Sequence, residues 1–117
     1  MNKSGTINYI ELPAVDLEAV KSFYSKALGW TFEDYGPDYV AFNDGSFNGG
    51  FFKSAQSSST ANGAALIVLY ADELEALQGK LVEQGAKVCR EIFSFPGGRR
   101  FHFLDPNNNE LAVWSDK

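Results

Sequence analysis

Hydrophobic and polar residues alternate with a period of two from Ile7 to Leu12, which is the pattern of a half-buried strand. Pro13 ends this strand because proline has no backbone N–H to donate to a sheet. Asp16 then suits a helix N-cap, and apolar residues recur at helical spacing up to Gly29. Glycine readily takes the left-handed conformation that closes a helix. The stretch predicts a strand, an amphipathic helix and a glycine stop.

The same pattern occurs again 57 residues further along the chain. The segments IELPAVDLEAV (10–20) and IVLYADELEAL (67–77) align without a gap, and six of their eleven positions are identical. In the second copy Asp72 and Glu75 have the spacing of a capping box, and the helix is expected to span Asp72–Gln84 and stop at Gly85. A chance match of small and apolar residues is the alternative. An offset of half the chain predicts two copies of one module.

Each copy continues with three short strand-like runs that are separated by hairpin signals such as Asn43-Asp44-Gly45. The segment Ser54–Gly63 is polar and of low complexity, and it is interpreted as a flexible linker between the modules. The predicted strands after the first helix are Trp30–Tyr35, Tyr39–Phe42 and Asn48–Lys53, and after the second helix Lys87–Phe95, Arg99–Leu104 and Asn109–Ser115.

These elements predict an α+β domain built from two βαβββ modules. Module 1 covers about 5–53, the linker 54–63 and module 2 about 64–117, all within one domain, 1–117. The eight strands are expected to form a curved mixed sheet around a cleft, with one helix per module on the outside. A cleft between modules is a usual place for a small-molecule site.

Composition narrows the class of protein. A chain of 117 residues with 44% hydrophobic residues is one domain with enough apolar surface for a core. The net charge of −5 argues against nucleic acid, which needs a basic surface. There is no apolar run of membrane-spanning length and no signal-peptide core, so we expect a cytoplasmic protein. The single cysteine, Cys89, excludes an internal disulfide and a cysteine-rich zinc site.

Two motifs resemble the vicinal oxygen chelate superfamily, also called the glyoxalase/bleomycin-resistance/dioxygenase superfamily: IELPAVDLEAVKSFYSKALGW at the start and GGRRFHFLDPNNNELAVW at the end. With the repeated module, the resemblance covers essentially the whole chain and implies a single glyoxalase-like domain, commonly a homodimer. The family includes metal-dependent isomerases, epoxide-opening transferases, ring-cleaving dioxygenases and proteins that sequester drugs. Function must therefore be argued from the site.

The resemblance also implies where a metal would bind. Metal-dependent members hold a divalent ion with His or Gln on the first strand, His on the fifth, Glu on the eighth and sometimes Glu on the fourth. The matching positions here are Tyr9, Leu66, Ala112 and about Phe51, which offer neither imidazole nor carboxylate. We therefore expect no metal and no other cofactor. A divalent ion (Zn²⁺, Ni²⁺, Mn²⁺ or Fe²⁺) is the alternative.

Two residues are candidates for acid–base chemistry. His102 lies between Phe101 and Phe103, so its ring faces the side opposite the two phenyl rings. Its alternative role is that of a hydrogen-bonded strand histidine. Glu11 shares a strand face with Tyr9, on the cleft side, where it could act as base, acid or hydrogen-bond acceptor. A solvated carboxylate at the end of the sheet is the alternative.

The remaining lining of the cleft is predicted to be aromatic. Glu110 lies beside the Asn107-Asn108 turn and is expected to be exposed. Arg99-Arg100 is expected to be either a solvated hairpin tip or a site that binds an anionic group. Together with Glu11, the predicted ligand-binding residues are Tyr9, Phe51, Tyr70 and Trp114. Such rings suit a flat or apolar ligand. They could instead fill the space between modules.

The leading hypothesis is a metal-independent family member that binds a small aromatic or apolar molecule in the cleft, in the manner of a resistance or sequestration protein. The alternative is an enzyme of glyoxalase or dioxygenase type that uses Glu11 and perhaps His102. A structural or regulatory interaction domain with a filled cleft is a third possibility. Neither nucleic acid nor a membrane is an expected partner.

Overall fold

Two copies of one strand–helix–strand–strand–strand unit make up the fold of the computed structural model, which describes residues 2–117. The α+β class and the two βαβββ modules are confirmed. The elements of module 1 are β1 (Tyr9–Ala14), α1 (Leu17–Leu28), β2 (Thr31–Asp34), β3 (Tyr39–Asn43) and β4 (Asn48–Lys53). A 3₁₀ turn (Thr60–Asn62) leads to module 2, which contains β5 (Ile67–Tyr70), α2 (Leu74–Glu83), β6 (Lys87–Phe95), β7 (Gly98–Leu104) and β8 (Glu110–Ser115).

The eight strands form two four-stranded mixed sheets, one per module. The strand order is β1-β4-β3-β2 in the first sheet and β5-β8-β7-β6 in the second, so the two modules share one topology. In each sheet the first strand of the module pairs in parallel with the last, and the other pairs are antiparallel. The internal sequence repeat is therefore a structural repeat.

Helix α1 forms where its sequence pattern predicts and joins the cores of both modules. The Asp16 side chain caps its first turn by accepting from the backbone N–H of Ala19, and Gly29 ends it with φ of 74°. On its buried face the Tyr24 ring stacks on Trp30 at 4.5 Å between centroids, and Phe23 lies 6.3 Å from Phe103 of the second sheet. One hydrophobic core therefore serves both sheets.

The start of α2 differs from the prediction. The N-cap is Glu73, which makes no side-chain cap, and the helix begins at Leu74. The predicted capping box at Asp72 and Glu75 is wrong because both carboxylates bind elsewhere. Asp72 accepts from Lys117 at 3.0 Å, and Glu75 pairs with Arg99.

The segment Ser54–Gly63 is not a flexible linker. The Ser57 hydroxyl donates to the backbone oxygen of Asn107 at 2.7 Å, and the Ser58 N–H donates to the Asn109 side chain at 2.9 Å. These bonds join the connection to the turn before β8.

Neither helix in the described part of the chain has the length and apolar run that crossing a bilayer requires.

A buried polar cluster ties the modules together at that turn. The Tyr24 hydroxyl on α1 donates to Asp105 at 2.7 Å, and the Asn109 amide donates both to Asp105 at 3.1 Å and to the Pro13 oxygen of β1 at 2.9 Å. Asn108 takes φ of 60°, which lets the backbone N–H groups of the turn converge on Asp105. Burial raises the pKa of the Asp105 carboxyl, and these hydrogen bonds lower it in part.

We expect Tyr24→Phe to lower the free energy of unfolding by about 1–3 kcal/mol, because it leaves a buried carboxylate with one donor fewer. The hydrogen bond from Tyr24 lowers the pKa of Asp105. Its contribution to the stability of the fold is therefore present above that pKa and lost below it. Urea denaturation at about pH 7 and about pH 4 should therefore show that Tyr24→Phe loses less unfolding free energy, relative to the wild type, at the lower pH.

The matched control is Tyr35→Phe, which changes an exposed tyrosine. Its effect should stay within about 0.5 kcal/mol at both pH values. An equal effect of the two substitutions would contradict the role of the buried bond.

Candidate functional site

The face of each sheet that points away from the helices, here called the helix-free face, carries the polar and exposed aromatic side chains. Alternation along the strands separates them from the core, since Leu12, Val40 and Phe51 are register partners on the helix side. The residues of the helix-free face that matter below are Tyr9, Glu11, Tyr39 and Gly50 in the first sheet, and Tyr70, Arg90, Phe93, Arg100, His102, Glu110 and Trp114 in the second.

In the first sheet, Tyr9, Tyr39 and Glu11 form one hydrogen-bonded chain. The two tyrosine hydroxyls lie 2.7 Å apart, and the Tyr39 hydroxyl donates to Glu11 Oε2 at 2.8 Å. Tyr9 therefore donates to Tyr39, because the single proton of Tyr39 is already given to Glu11. Burial and then these two bonds raise the pKa of the Tyr39 phenol, which stays protonated.

Gly50 makes this chain possible. A Cβ at this position would collide with the Tyr39 hydroxyl and ring, which lie directly over the glycine. Because Gly50 is also the register partner of Glu11, the bare backbone leaves the space that Tyr39 needs to reach the carboxylate.

In the second sheet, Glu110, His102 and Arg100 form a second hydrogen-bonded chain. Glu110 Oε2 lies 2.8 Å from His102 Nδ1, and His102 Nε2 lies 3.0 Å from Arg100 Nη2. A guanidinium has only donors, so Nε2 accepts and the proton of the neutral ring sits on Nδ1, from which it is donated to Glu110. The other Glu110 oxygen accepts from the Thr60 N–H at 2.9 Å and the Thr60 hydroxyl at 2.7 Å.

The prediction that Glu110 is exposed is wrong. Its side chain is 13% exposed, because Thr60 from the connecting segment covers one oxygen and His102 the other. The hydrogen bond with His102 lowers the pKa of Glu110 to about 2, with a further contribution from the Thr60 donors against the opposing effect of burial. His102 itself is 5% exposed. The carboxylate and the ring hold each other in one orientation.

Strand β6 brings Arg90 and Phe93 onto the same face as this chain. The register pairs Arg90 with His102 and Phe93 with Arg100, so three steps along β6 match two along β7. The extra residue is a β-bulge, and without it residues three apart would point to opposite faces. The Arg90 guanidinium lies 3.9 Å from the centroid of the Phe93 ring, and that of Arg100 lies 5.8 Å from it.

Exposed aromatic rings flank these polar groups. Tyr9 is 43% and Tyr70 46% exposed, and Tyr70 packs edge-on against the half-buried Trp114 at 5.3 Å. Tyr70 also borders a groove of about 660 Å³ between the modules, which is lined by Ser25, Lys26, Ala27, Leu28, Gly29, Trp30, Asp44, Val68, Leu69, Tyr70, Leu77 and Lys80. The rings of Tyr9, Tyr70 and Trp114 are therefore not fully buried by packing between the modules.

Phe51 does not belong to the predicted site. It is fully buried on the helix side, with its ring 5.4 Å from that of Tyr24, so the prediction that it lines the cleft is wrong. A shift of one residue in strand register reverses the face. Tyr9 and Glu11 do come together, as do Tyr70 and Trp114.

Glu11 and His102 belong to separate chains on different sheets. The sequence did not predict the contacts that Glu110 makes with Thr60 and with His102. The contact with Thr60 joins residues 50 positions apart.

The residues present do not fit the metal that the resemblance implies. Between residues 2 and 117, no group of three His, Cys, Asp or Glu side chains lies close enough to hold an ion. Ala112 is the register partner of His102 and offers no donor, and His102 Nε2 faces the positively charged Arg100. Glu11 and Glu110 are each engaged within their own sheet.

Comparison with known proteins identifies the family. The model of the "Glyoxalase/Bleomycin resistance protein/Dioxygenase superfamily" matches residues 6–113. A protein named "Putative glyoxylase CFP32", found in Mycobacterium bovis and Mycobacterium tuberculosis, is 24% identical over 96% of this chain. The match spans 46% of that relative, so this chain covers about half the length of the curated proteins it resembles.

Solved structures show the same fold. A glyoxalase-related enzyme from Fulvimarina pelagi superimposes with a TM-score of 0.78 at 18% identity, over 95% of this chain and 88% of the other. A lactoylglutathione lyase from Agrobacterium tumefaciens gives 0.73 at 22% identity, over 97% and 95%. The fosfomycin resistance protein FosX from Listeria monocytogenes, an E126Q mutant complexed with Mn(II) and a dihydroxypropylphosphonic acid, gives 0.78 at 16% identity, over 96% and 90%.

We expect Glu110→Gln to lower the free energy of unfolding by about 1–3 kcal/mol at neutral pH, because the glutamine amide must turn a donor toward Thr60 or His102. The folded-state pKa of Glu110 is about 2 against an ordinary 4.5, so the stabilisation is present above 4.5 and lost as the pH falls toward 2. Denaturation curves over this range should show the gap between wild type and variant closing.

Glu91→Gln is the matched control, since Glu91 is exposed on β6 and makes no ion pair within the described residues. Its curve should follow wild type within about 0.5 kcal/mol. A gap for Glu110→Gln that is constant with pH would show that the carboxylate charge has no part in the effect.

Proposed function

The chain belongs to the glyoxalase/bleomycin resistance protein/dioxygenase superfamily, and we propose that it binds a small aromatic or apolar molecule in the cleft between its two modules. Binding, rather than metal-dependent turnover, is the activity for which these side chains are suited. The binding residues are Tyr9, Tyr70 and Trp114, with Glu11 and Tyr39 as polar anchors.

The observation that carries the proposal is the exposure of aromatic rings on the helix-free face, beside its polar groups. Tyr70 and Trp114 meet edge-to-face at 5.3 Å and leave ring surface that a flat molecule could cover. Tyr9 presents a second ring from the first sheet, held upright by its bond to Tyr39. An aromatic ligand could stack on such an exposed ring, and a hydroxyl or amine of the ligand could bind Glu11.

A second candidate is an enzyme of glyoxalase or dioxygenase type that uses Glu11 and His102. One observation favours it: Glu110 fixes the tautomer of His102, as an orienting carboxylate does for a catalytic base. Two observations weigh against it. Arg100 already donates to His102 Nε2, and one Glu11 oxygen accepts from Tyr39.

Assembly and location belong to the proposal as well. We propose that the protein is a homodimer, in keeping with the family resemblance, and that it acts in the cytoplasm. Both remain predictions.

The two tryptophans give a direct test. Trp30 is buried between Tyr24 and Phe42, whereas Trp114 lies half-buried on the helix-free face. Titration with the neutral compound 2-naphthalenemethanol, followed by NMR, should shift the indole N–H signal of Trp114 saturably and leave that of Trp30 in place. Trp114→Phe assigns the signals.

Tyr70→Ala should weaken this binding by about tenfold, because it removes one of the stacking rings. Val82→Ala, which shortens an exposed side chain on α2 outside the site, is the control and should leave the affinity unchanged. If the Trp114 signal responds to none of a panel of neutral aromatic compounds, the proposal fails.

Metal content tests the other half of the proposal. Protein purified without chelator, incubated in turn with Zn²⁺, Ni²⁺, Mn²⁺ and Fe²⁺ and then desalted, should retain far less than one ion per chain by elemental analysis. The expectation follows from the missing ligand set and from the guanidinium at His102 Nε2. Stoichiometric retention of one ion would instead favour the enzyme.

A further inference from the structure

We propose that Arg90 and Arg100 form an oxyanion site on the helix-free face of the second sheet. The ligand of the cleft would then be an aromatic or apolar molecule that carries a carboxylate or phosphate-type group. The aromatic part of this inference rests on the proposed function, whereas the oxyanion part stands on separate observations.

The first observation is that neither arginine has a carboxylate partner among the described residues. The ion pairs there engage Lys21, Lys117, Arg99 and His102, and leave out Arg90 and Arg100. The contrast with Arg99 is direct, because this neighbour of Arg100 points to the opposite face and binds Glu75 through two nitrogens. The two guanidinium groups are therefore not neutralised by a carboxylate of the described chain and can attract an anionic group of a ligand.

The second observation is that the two guanidinium groups are brought to one ring. Both lie over Phe93, with Cζ at 3.9 Å for Arg90 and 5.8 Å for Arg100 from its centroid. The β6 bulge creates this arrangement, since it turns Arg90 and Phe93 to the same side. Both positive charges therefore lie near one ring, where a bound anion would be attracted to each of them.

The third observation is an unsatisfied donor. Arg100 Nη2 donates to His102, but Arg100 Nε is shielded from solvent and has no hydrogen-bond partner. A buried donor without a partner is costly, and a small rotation of the guanidinium toward an oxyanion would satisfy it. His102 and Glu110 hold the guanidinium group of Arg100 in place, so they act as positioning residues.

The position of the site relative to the rings defines the ligand. Arg100 is the register partner of Trp114, which in turn contacts Tyr70 and Phe95. An anionic group held by Arg100 would therefore place an attached ring on Trp114. Arginine binds carboxylate and phosphate oxygens with two parallel N–H bonds, which fixes the orientation of the ligand.

The test compares three probes that share a naphthyl ring: 2-naphthoate, 2-naphthyl phosphate and the neutral 2-naphthalenemethanol. Calorimetric titration of the wild type should give at least one of the anions an affinity about tenfold or more above that of the alcohol. Arg90→Gln and Arg100→Gln should each reduce this preference severalfold while the alcohol binds as before. Arg99→Gln is the matched control and should preserve the preference.

The outcomes separate this inference from the proposed function. Equal affinity of all three probes for the wild type would overturn the oxyanion site and leave aromatic binding intact. If no naphthyl probe binds, aromatic binding fails and the oxyanion site is judged by inorganic phosphate alone. Phosphate should then shift the NMR signal of the Arg100 Nε–H in the wild type more than sodium chloride of equal ionic strength, and no difference would overturn the site too.

Discussion

The bond between Tyr24 and Asp105 is the interaction on which the arrangement of the two modules depends. It joins α1 of the first module to the turn before β8 of the second, at 2.7 Å in a buried setting. The Asn109 amide extends this link to β1, because it donates to the backbone oxygen of Pro13. A polar cluster of this kind is directional, whereas apolar packing is not. It therefore fixes where the second sheet lies relative to α1, and the shared core fills in around it.

That arrangement determines where chemistry can occur. Because the apolar side of each sheet is given to the helices, polar and titratable groups collect on the other side. Each sheet provides hydrogen-bond donors for its own carboxylate: Tyr39 donates to the exposed Glu11, and Thr60 with His102 donates to the largely buried Glu110. The two hydrogen-bonded chains are built from positions that the repeat does not relate, since Glu11 lies on the first strand of its module and Glu110 on the last strand of the other.

The repeat made the fold predictable, because two aligned copies of a strand and helix leave few topologies. The α1 caps were also visible in the sequence, since Asp16 and Gly29 act locally. The site was less predictable. Phe51 was assigned to the wrong face through an error of one residue in register, and the β6 bulge, which has no sequence signal here, hid the pairing of Arg90 with Phe93. Glu110 depends on Thr60, and contacts across 50 positions cannot be read from periodicity.

The presence of arginine near positions that lack metal ligands has a chemical consequence. Where the family resemblance implies an ion, this chain has Ala112 opposite His102, and the positive charge nearby belongs to guanidinium groups. A guanidinium can hold an oxyanion through two hydrogen bonds, but its charge is delocalised and it has no empty orbital to accept a lone pair. It therefore binds and orients without the polarisation that a divalent ion provides. His102, hydrogen-bonded to both Glu110 and Arg100, keeps that guanidinium in place, which suits capture of a ligand more than its conversion.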